Sequence, residues 1–294
     1  MGNIAISVRG LEKSYGKERV LKGVSFDVES DRVVGFLGPN GAGKTTTIKL
    51  ILGFLNPDAG SIEIMGEKKR RDKIMVNIGY VSEAPKFYPY LTGRQLLNLT
   101  GRLLKMKSEA LNREIEKIAE YLNLKEFIDK KISTYSLGNL KKLAFAQAIL
   151  GDPKILIFDE PYNGLDPIAI NKVRKMIIEL KEKGKTIFVS SHLLAEMERI
   201  CDDVIMINKG SIVISGNIDK LKKSYKIFSS LKYTESLQKI LENKGIEMGN
   251  FDLSYTLRLQ DEEFKKLIKL LEENVSMDFK TLPSLEDVFL NIVQ

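Results

Sequence analysis

Eight contiguous residues constrain this chain more than any other stretch. Gly38-Pro39-Asn40-Gly41-Ala42-Gly43-Lys44-Thr45 satisfies GxxxxGK(S/T) at every fixed position. It follows the apolar run Arg32 to Leu37 and precedes an apolar-periodic stretch from Lys44 to Leu52, so the order is strand, glycine-rich loop, helix, the context the pattern demands. Glycines let the backbone turn its N–H groups inward around phosphate oxygens, and the helix N-terminus adds partial positive charge worth about 0.3–1 kcal/mol for an exposed anion. In such a loop Lys44 reaches the β- and γ-phosphates and the Thr45 hydroxyl ligates Mg²⁺, with Thr46 next on the same helix. A chance turn would not need the Lys-Thr pair in register.

A second constellation lies downstream. Ile155-Leu156-Ile157-Phe158 is an apolar strand that ends in Asp159-Glu160. Four buried residues push both carboxylates to the strand's carboxyl end, where ligands of parallel α/β sheets bind. Asp159 is expected to hold Mg²⁺ through water, and Glu160 to polarise the water that attacks the γ-phosphate.

Further strand-like runs, rich in β-branched and aromatic residues, occur at residues 4–8, 20–28, Ser61 to Met65, Asn77 to Val81, Thr186 to Ser190, Val204 to Ile207 and Ser211 to Ile214. Between Val81 and Lys154 lies a helical block, about Leu91 to Gly151, with apolar residues at three- and four-residue spacing. Strands interrupted by one helical insert predict a mixed α/β core with an α-helical subdomain. From residue 219 the composition turns rich in Lys, Glu and Leu and loses the glycine-rich loops. There Ile227 to Tyr233, Phe251 to Leu259 and Met277 to Leu282 are strand-like; Glu235 to Lys244, Glu262 to Glu273 and a segment from Ser284 are helix-like. Such alternation predicts a second, small two-layer α/β domain.

Composition excludes several classes. With 294 residues, 43% of them hydrophobic, the chain can build one large domain and a smaller one. It has no apolar run of the roughly 18–20 residues a membrane helix needs, and no basic segment leading into an apolar stretch at its start, so a cytosolic protein is expected. A single cysteine, Cys201, excludes an intramolecular disulfide framework and a four-cysteine zinc site, and its apolar and acidic neighbours predict a buried thiol. The net charge of +7 selects neither a nucleic acid nor an anionic membrane, and the basic run Lys68 to Lys73 is most simply a solvated loop. No helix-turn-helix or zinc finger accompanies it.

Over about Ile4 to Gly216 these residues resemble the ATP-binding subunits of ABC transporters, and further motifs follow in that family's order. Tyr15, in Ser14-Tyr15-Gly16, lies where the family places an aromatic ring against adenine. Ser136-Leu137-Gly138-Asn139 aligns with the signature LSGGQ, with Leu137 for the first Gly and Asn139 for Gln; Ser136 is also a natural helix N-cap. Asp166, in Asn163-Gly164-Leu165-Asp166-Pro167, matches the loop that crosses between subunits. His192, the chain's single histidine, follows Val189-Ser190-Ser191 at the place of the γ-phosphate-sensing switch. The family's glutamine after the strand ending near Val81 is Glu83 here, a carboxylate that can ligate Mg²⁺ but adds negative charge and donates no hydrogen bond. Glu83, the Phe87 to Thr92 stretch and the signature look most like the bacitracin and lantibiotic self-protection exporter branch; a tail like Ser284-Leu285-Glu286-Asp287-Val288-Phe289-Leu290 recurs in the wider group of drug and sodium exporter ATPases.

The resemblance implies a P-loop NTPase core with an antiparallel β subdomain and an α-helical subdomain over residues 1–218, followed by a small C-terminal α+β accessory domain over 219–294. It implies ATP hydrolysis with Mg²⁺ in a head-to-tail homodimer, in which Ser136 and Gly138 of one copy meet the γ-phosphate held by the other. The stroke would pass to separate transmembrane permease chains, with the subunit at the inner face of the membrane and no direct nucleic-acid partner. A permease helix is expected in the cleft around Glu83 to Tyr90, whose aromatics Phe87, Tyr88 and Tyr90 look exposed. The alternative, a soluble ABC ATPase acting on nucleic acid or ribosomes, would share the site but generally carries a long coiled-coil insertion or two nucleotide domains. A GTPase or small-molecule kinase would leave the signature, Asp166 and His192 unexplained.

Overall fold

Strand β1 (Ile4–Tyr15) and strand β2 (Glu18–Glu29) form one long antiparallel hairpin, in which Ile6 faces Val28 and Val8 faces Phe26. The alternation Val24, Phe26, Val28 in β2 buries every second residue, the period-two pattern of a sheet with one wet face. Strand β4 (Ala59–Ile64) pairs on the other side of β1, giving the order β2-β1-β4. In this computed structural model the described residues are 3–67, 76–229, 249–251, 254–258 and 284–285. The basic run Lys68 to Lys73 lies outside them.

The second sheet has six strands in the order β5-β6-β7-β3-β8-β9. They are β3 (Val33–Leu37), β5 (Ile78–Val81), β6 (Ile155–Asp159), β7 (Thr186–Ser191), β8 (Asp203–Asn208) and β9 (Ser211–Asn217). The pairs from β5 through β8 are parallel. All residues of β3, β6 and β7 are buried, as expected for parallel strands covered on both faces. Phe26, Phe36 and Phe188 bring the two sheets together, with ring centroids 5.3–5.8 Å apart. Helix α1 (Lys44–Ile51) adds Ile48, Leu50 and Ile51 to the same core.

The helical insert holds α2 (Gly93–Leu103), α3 (Ser108–Tyr121) and α4 (Leu137–Ile149). Thr92 and Gln95 form a reciprocal capping box that starts α2. Leu96, Leu97, Leu111, Ile115, Ile118 and Leu143 build a second core here, and the Tyr135 hydroxyl donates to the Phe127 carbonyl at 2.6 Å. Phe87 is half-buried against this core, which corrects its expected exposure: its ring is packed inward, while Tyr88 and Tyr90 are 56% and 67% exposed. Phe145 on α4 meets Phe158 on β6 edge-on at 5.3 Å, so the insert's last helix is keyed to the strand that carries Asp159. Helix α5 (Pro167–Glu182) follows β6. Cys201 is buried, with its thiol's pKa raised by burial and by Asp202 and Asp203, in agreement with an inert thiol.

The chain divides into two compact units: Met1–Leu193 with Ile200–Ser215, and Leu194–Arg199 with Gly216–Gln294. The second contains α6 (Leu194–Glu198), α7 (Ile218–Ser224) and a sheet of β10 (Tyr225–Ser229), β11 (Gly249–Phe251) and β12 (Ser254–Arg258) in the order β10-β12-β11. The run Phe251 to Leu259, expected as one strand, is divided between β11 and β12, because Phe251 pairs with Ser254 in an antiparallel register that one continuous strand cannot make. Leu285 is buried and its N–H donates to Glu198 Oε2 at 3.0 Å, which ties the start of the tail motif to α6. The helices expected at Glu235 to Lys244 and Glu262 to Glu273, the strand at Met277 to Leu282 and the helix beyond Leu285 lie outside the described residues.

Candidate functional site

The sheet order sets β3 beside β7, and β7 beside β6, with their carboxyl ends level: Leu37 is in register with Ser191, and Asp159 with Ser190. The loop after β3 and the polar residues that end β6 and β7 therefore converge at one edge, although Asp159 is 114 positions from Thr45. In the loop, Gly43 is the N-cap of α1 at φ 109°, and a β-carbon there would lie 2.6 Å from Leu21 Cδ2. Only glycine meets both conditions. A β-carbon on Gly38 would be 2.2 Å from the Ile207 carbonyl oxygen, so the loop backbone lies directly against β8.

Lys44, the first residue of α1, is buried. Its ammonium donates to the carbonyls of Gly38 at 2.8 Å and Pro39 at 3.2 Å and forms an ion pair with Glu160 Oε1 at 3.1 Å. Glu160 has φ 47°, a left-handed torsion that costs a non-glycine residue of order 1–3 kcal/mol and persists where surrounding structure over-determines it. Here three contacts do so. Its N–H donates to the Ser190 carbonyl at 3.2 Å and to Ser190 Oγ at 3.0 Å; its carbonyl accepts from Lys141 Nζ at 3.4 Å. Oε2 lies 2.9 Å from His192 Nδ1. An ionised carboxylate only accepts, so this contact puts the imidazole proton on Nδ1. Oε1 takes no hydrogen bond, its partner being the Lys44 charge.

Ser190 serves both acids. Its hydroxyl accepts from the Glu160 N–H and donates to Asp159 Oδ1 at 2.7 Å, where Thr45 Oγ1 also donates at 3.3 Å. Burial pushes the Asp159 carboxyl above its ordinary range, opposed by the bonds from Ser190 and Thr45 and reinforced by the charges of Glu160 and Glu83. Tyr80, on neighbouring β5, is pushed up to about 12 by burial, with Asp159 and Glu83 adding to it. The hydroxyl of Thr45 and the carboxylate of Asp159 are hard oxygen donors already side by side, which suits a small divalent cation that takes one or two carboxylates and completes its shell with phosphate oxygens. Among the described residues no three His, Cys, Asp or Glu side chains form a self-contained metal site. Glu83, close enough to act on Asp159, accepts from Asn163 Nδ2 at 2.9 Å.

The remaining expected residues stand apart from this cluster. Ser136 caps α4, accepting from the Asn139 N–H at 3.3 Å, with Leu137 exposed and Gly138 half-buried. Asp166 caps α5, accepting from Ala169 N–H at 2.8 Å. Tyr15 ends β1 on the hairpin sheet and is 48% exposed. Sequence reasoning missed the two residues that organise the acids, Ser190 and Lys141. The signal for Lys141 was a charged residue on the otherwise apolar face of α4 that also carries Ala144, Phe145 and Ala148.

Comparison with known proteins agrees with the geometry. Residues 21–163 match the ABC transporter family. The bacitracin transport ATP-binding protein of Bacillus licheniformis is 35% identical over 305 residues, covering 98% of this chain and 97% of its own length. The chain belongs to the ABC transporter ATP-binding proteins. An ABC transporter ATP-binding protein of Nostoc sp. is 34% identical over 93% of this chain and 83% of its own length. The solved structure of an ATP-binding subunit of an ABC transporter superposes with a TM-score of 0.70 at 31% identity, over 74% of this chain and 92% of that one. This ABC subunit is thus an ATPase, and the edge formed by β3, β6 and β7 belongs to an ATP-binding cassette. None of its described helices is long and apolar enough to cross a membrane.

Proposed function

We propose that two copies of this subunit pair head to tail around ATP and that hydrolysis lets them part, driving separate permease chains in export. The observation that carries the reading is the line of contacts Lys44 to Glu160 to His192, 3.1 and 2.9 Å, at the mouth of the phosphate loop. In this reading the loop from Gly38 to Thr46 and the Lys44 ammonium hold the phosphates, and Tyr15 supports the adenine. Phosphate oxygens compete with Glu160 for Lys44, which leaves the carboxylate, still oriented by His192, to accept the proton of the attacking water. Thr45, Asp159 and Glu83 would hold Mg²⁺, which would supply positive charge against the phosphates.

The pairing is supported by what one copy leaves unused. The side-chain bonds of Ser136 and Asp166 are local caps, and Leu137 at the N-terminus of α4 is exposed. A γ-phosphate contact made only in the pair gives ATP a differential affinity for the closed state, the requirement for a ligand to shift it. The test is sedimentation of the Glu160→Gln chain. It should run as a dimer in saturating Mg-ATP and as a monomer without it; a monomer under both conditions, with its permease present, overturns the pairing.

Residues 1–218 would form the nucleotide-binding domain and 219–294 the accessory domain. Permease docking falls to Tyr88 and Tyr90, whose exposed rings lie 5.8 Å apart, and not to the inward Phe87. Replacing both tyrosines with alanine should abolish co-purification with the permease while leaving nucleotide binding intact; undiminished co-purification would remove this surface from the coupling path. Export is supported by the end-to-end likeness to the bacitracin transport protein, and docking would place the subunit at the inner face of the membrane. Both relatives carry transporter names, and nothing in the comparisons favours action on nucleic acid or ribosomes.

A further inference from the structure

Lys141 is a charged group at this site to which the catalytic reading gives no task. It lies on α4, is only 2% exposed, and among the described residues makes a single long hydrogen bond, from Nζ to the Glu160 carbonyl at 3.4 Å, and no ion pair. Lysines are almost never fully buried unless something nearby answers their charge. Burial lowers the proton affinity of this ammonium, while Glu83, Glu160 and Asp159 act on it in the opposite sense. Those carboxylates also act on one another, since Glu160 and Glu83 both raise Asp159.

A count of charges gives Lys141 its meaning. Asp159 and Glu160 face one cation of the phosphate loop, Lys44, which pairs with Glu160. Glu83 adds a third negative charge, and its hydrogen-bond partner, Asn163, is neutral. A triphosphate brought to this edge meets that excess at close range, in a buried setting where charges are poorly screened. We propose that Lys141 is a positioning residue whose buried positive charge offsets Glu83, so that the phosphate site accepts ATP beside three carboxylates. The hydrogen bond to the Glu160 carbonyl holds the ammonium on the side of α4 that faces these acids.

The inference rests on the edge of β3, β6 and β7 being the ATP site. It is tested with the full-length chain, by titrating a fluorescent ATP analogue in EDTA so that no metal is bound. Lys141→Met removes charge and donor; Lys141→Gln removes the charge and keeps a donor for the Glu160 carbonyl. Both should weaken the analogue about tenfold, the scale of one unit charge at several ångströms in a partly buried site. Adding Glu83→Gln to either should bring affinity back to within about threefold of wild type, a larger gain than the same change gives in the wild-type background, and a packing defect at Lys141 would not show that coupling. Thermal unfolding of each variant checks that it is folded. Wild-type affinity in Lys141→Gln, or no improvement on adding Glu83→Gln, overturns the proposal. Lys44→Ala in the same titration separates the two failures. If it binds like wild type, the site itself is misassigned; if it loses binding while Glu83→Gln fails to rescue, only the role of Lys141 falls.

Discussion

Replacing Glu160 with glutamine is expected to slow ATP hydrolysis by about 10²–10⁴ while leaving ATP binding intact, the span for removal of a positioned general base. The amide keeps the size and planar shape of the carboxylate, so the left-handed backbone at this position and its bonds to Ser190 and Lys141 are undisturbed. Lys44 retains the carbonyls of Gly38 and Pro39 and is not stranded. What disappears is the basic oxygen that His192 orients and that can take a proton from water. Binding is preserved or tightened because one negative charge beside the phosphates is gone. Single-turnover phosphate release, set beside nucleotide affinity, reads both quantities. A rate within a few-fold of wild type would strip Glu160 of the role.

Lys44→Ala should produce the complementary defect. Charge-assisted hydrogen bonds are worth about 1.5–3 kcal/mol each, so loss of the ammonium should weaken ATP binding by roughly 10- to 100-fold. The same change leaves Glu160, 5% exposed, without its cation. Breaking one partner of a buried pair costs about 3–5 kcal/mol; His192, partly exposed, keeps its contact with Oε2 and reduces the loss. The variant should therefore also unfold at lower temperature. Fluorescent-nucleotide titration and thermal unfolding measure the two effects, and unchanged affinity would show that Lys44 does not reach the phosphates. Together the substitutions divide the site: one keeps the ligand and loses the chemistry, the other loses the ligand.

Much of this arrangement was legible before any coordinates. The phosphate loop is recognisable because its determinants are contiguous, a positive-φ glycine and a lysine at the first turn of a helix. Strands β3, β6 and β7 stand out because parallel strands buried on both faces need unbroken apolar runs. Phe87 shows the limit of that reading. An aromatic residue between Lys86 and Tyr88 carries no mark of which way its ring points, and only the core of the helical insert turns it inward. Glu83 is similar: its departure from the family pattern is visible in one letter, its bond to Asn163, 80 positions away, is not.

By itself, then, the sequence determined what depends on neighbours along the chain: the cradle at Gly38 to Thr45, the acids at the end of β6, and the cap at Ser136. Only the tertiary structure decided which of these meet. The strand order β6-β7-β3 brings Glu160 between Lys44 and His192, and it makes Ser190 a shared partner of both acids. The packing of Phe145 on Phe158 lays α4 where Lys141 reaches the Glu160 carbonyl. The reason is range: backbone torsions and capping act over a few residues, whereas burial and electrostatic pairing act across space, between groups whose separation along the chain carries no information about their distance.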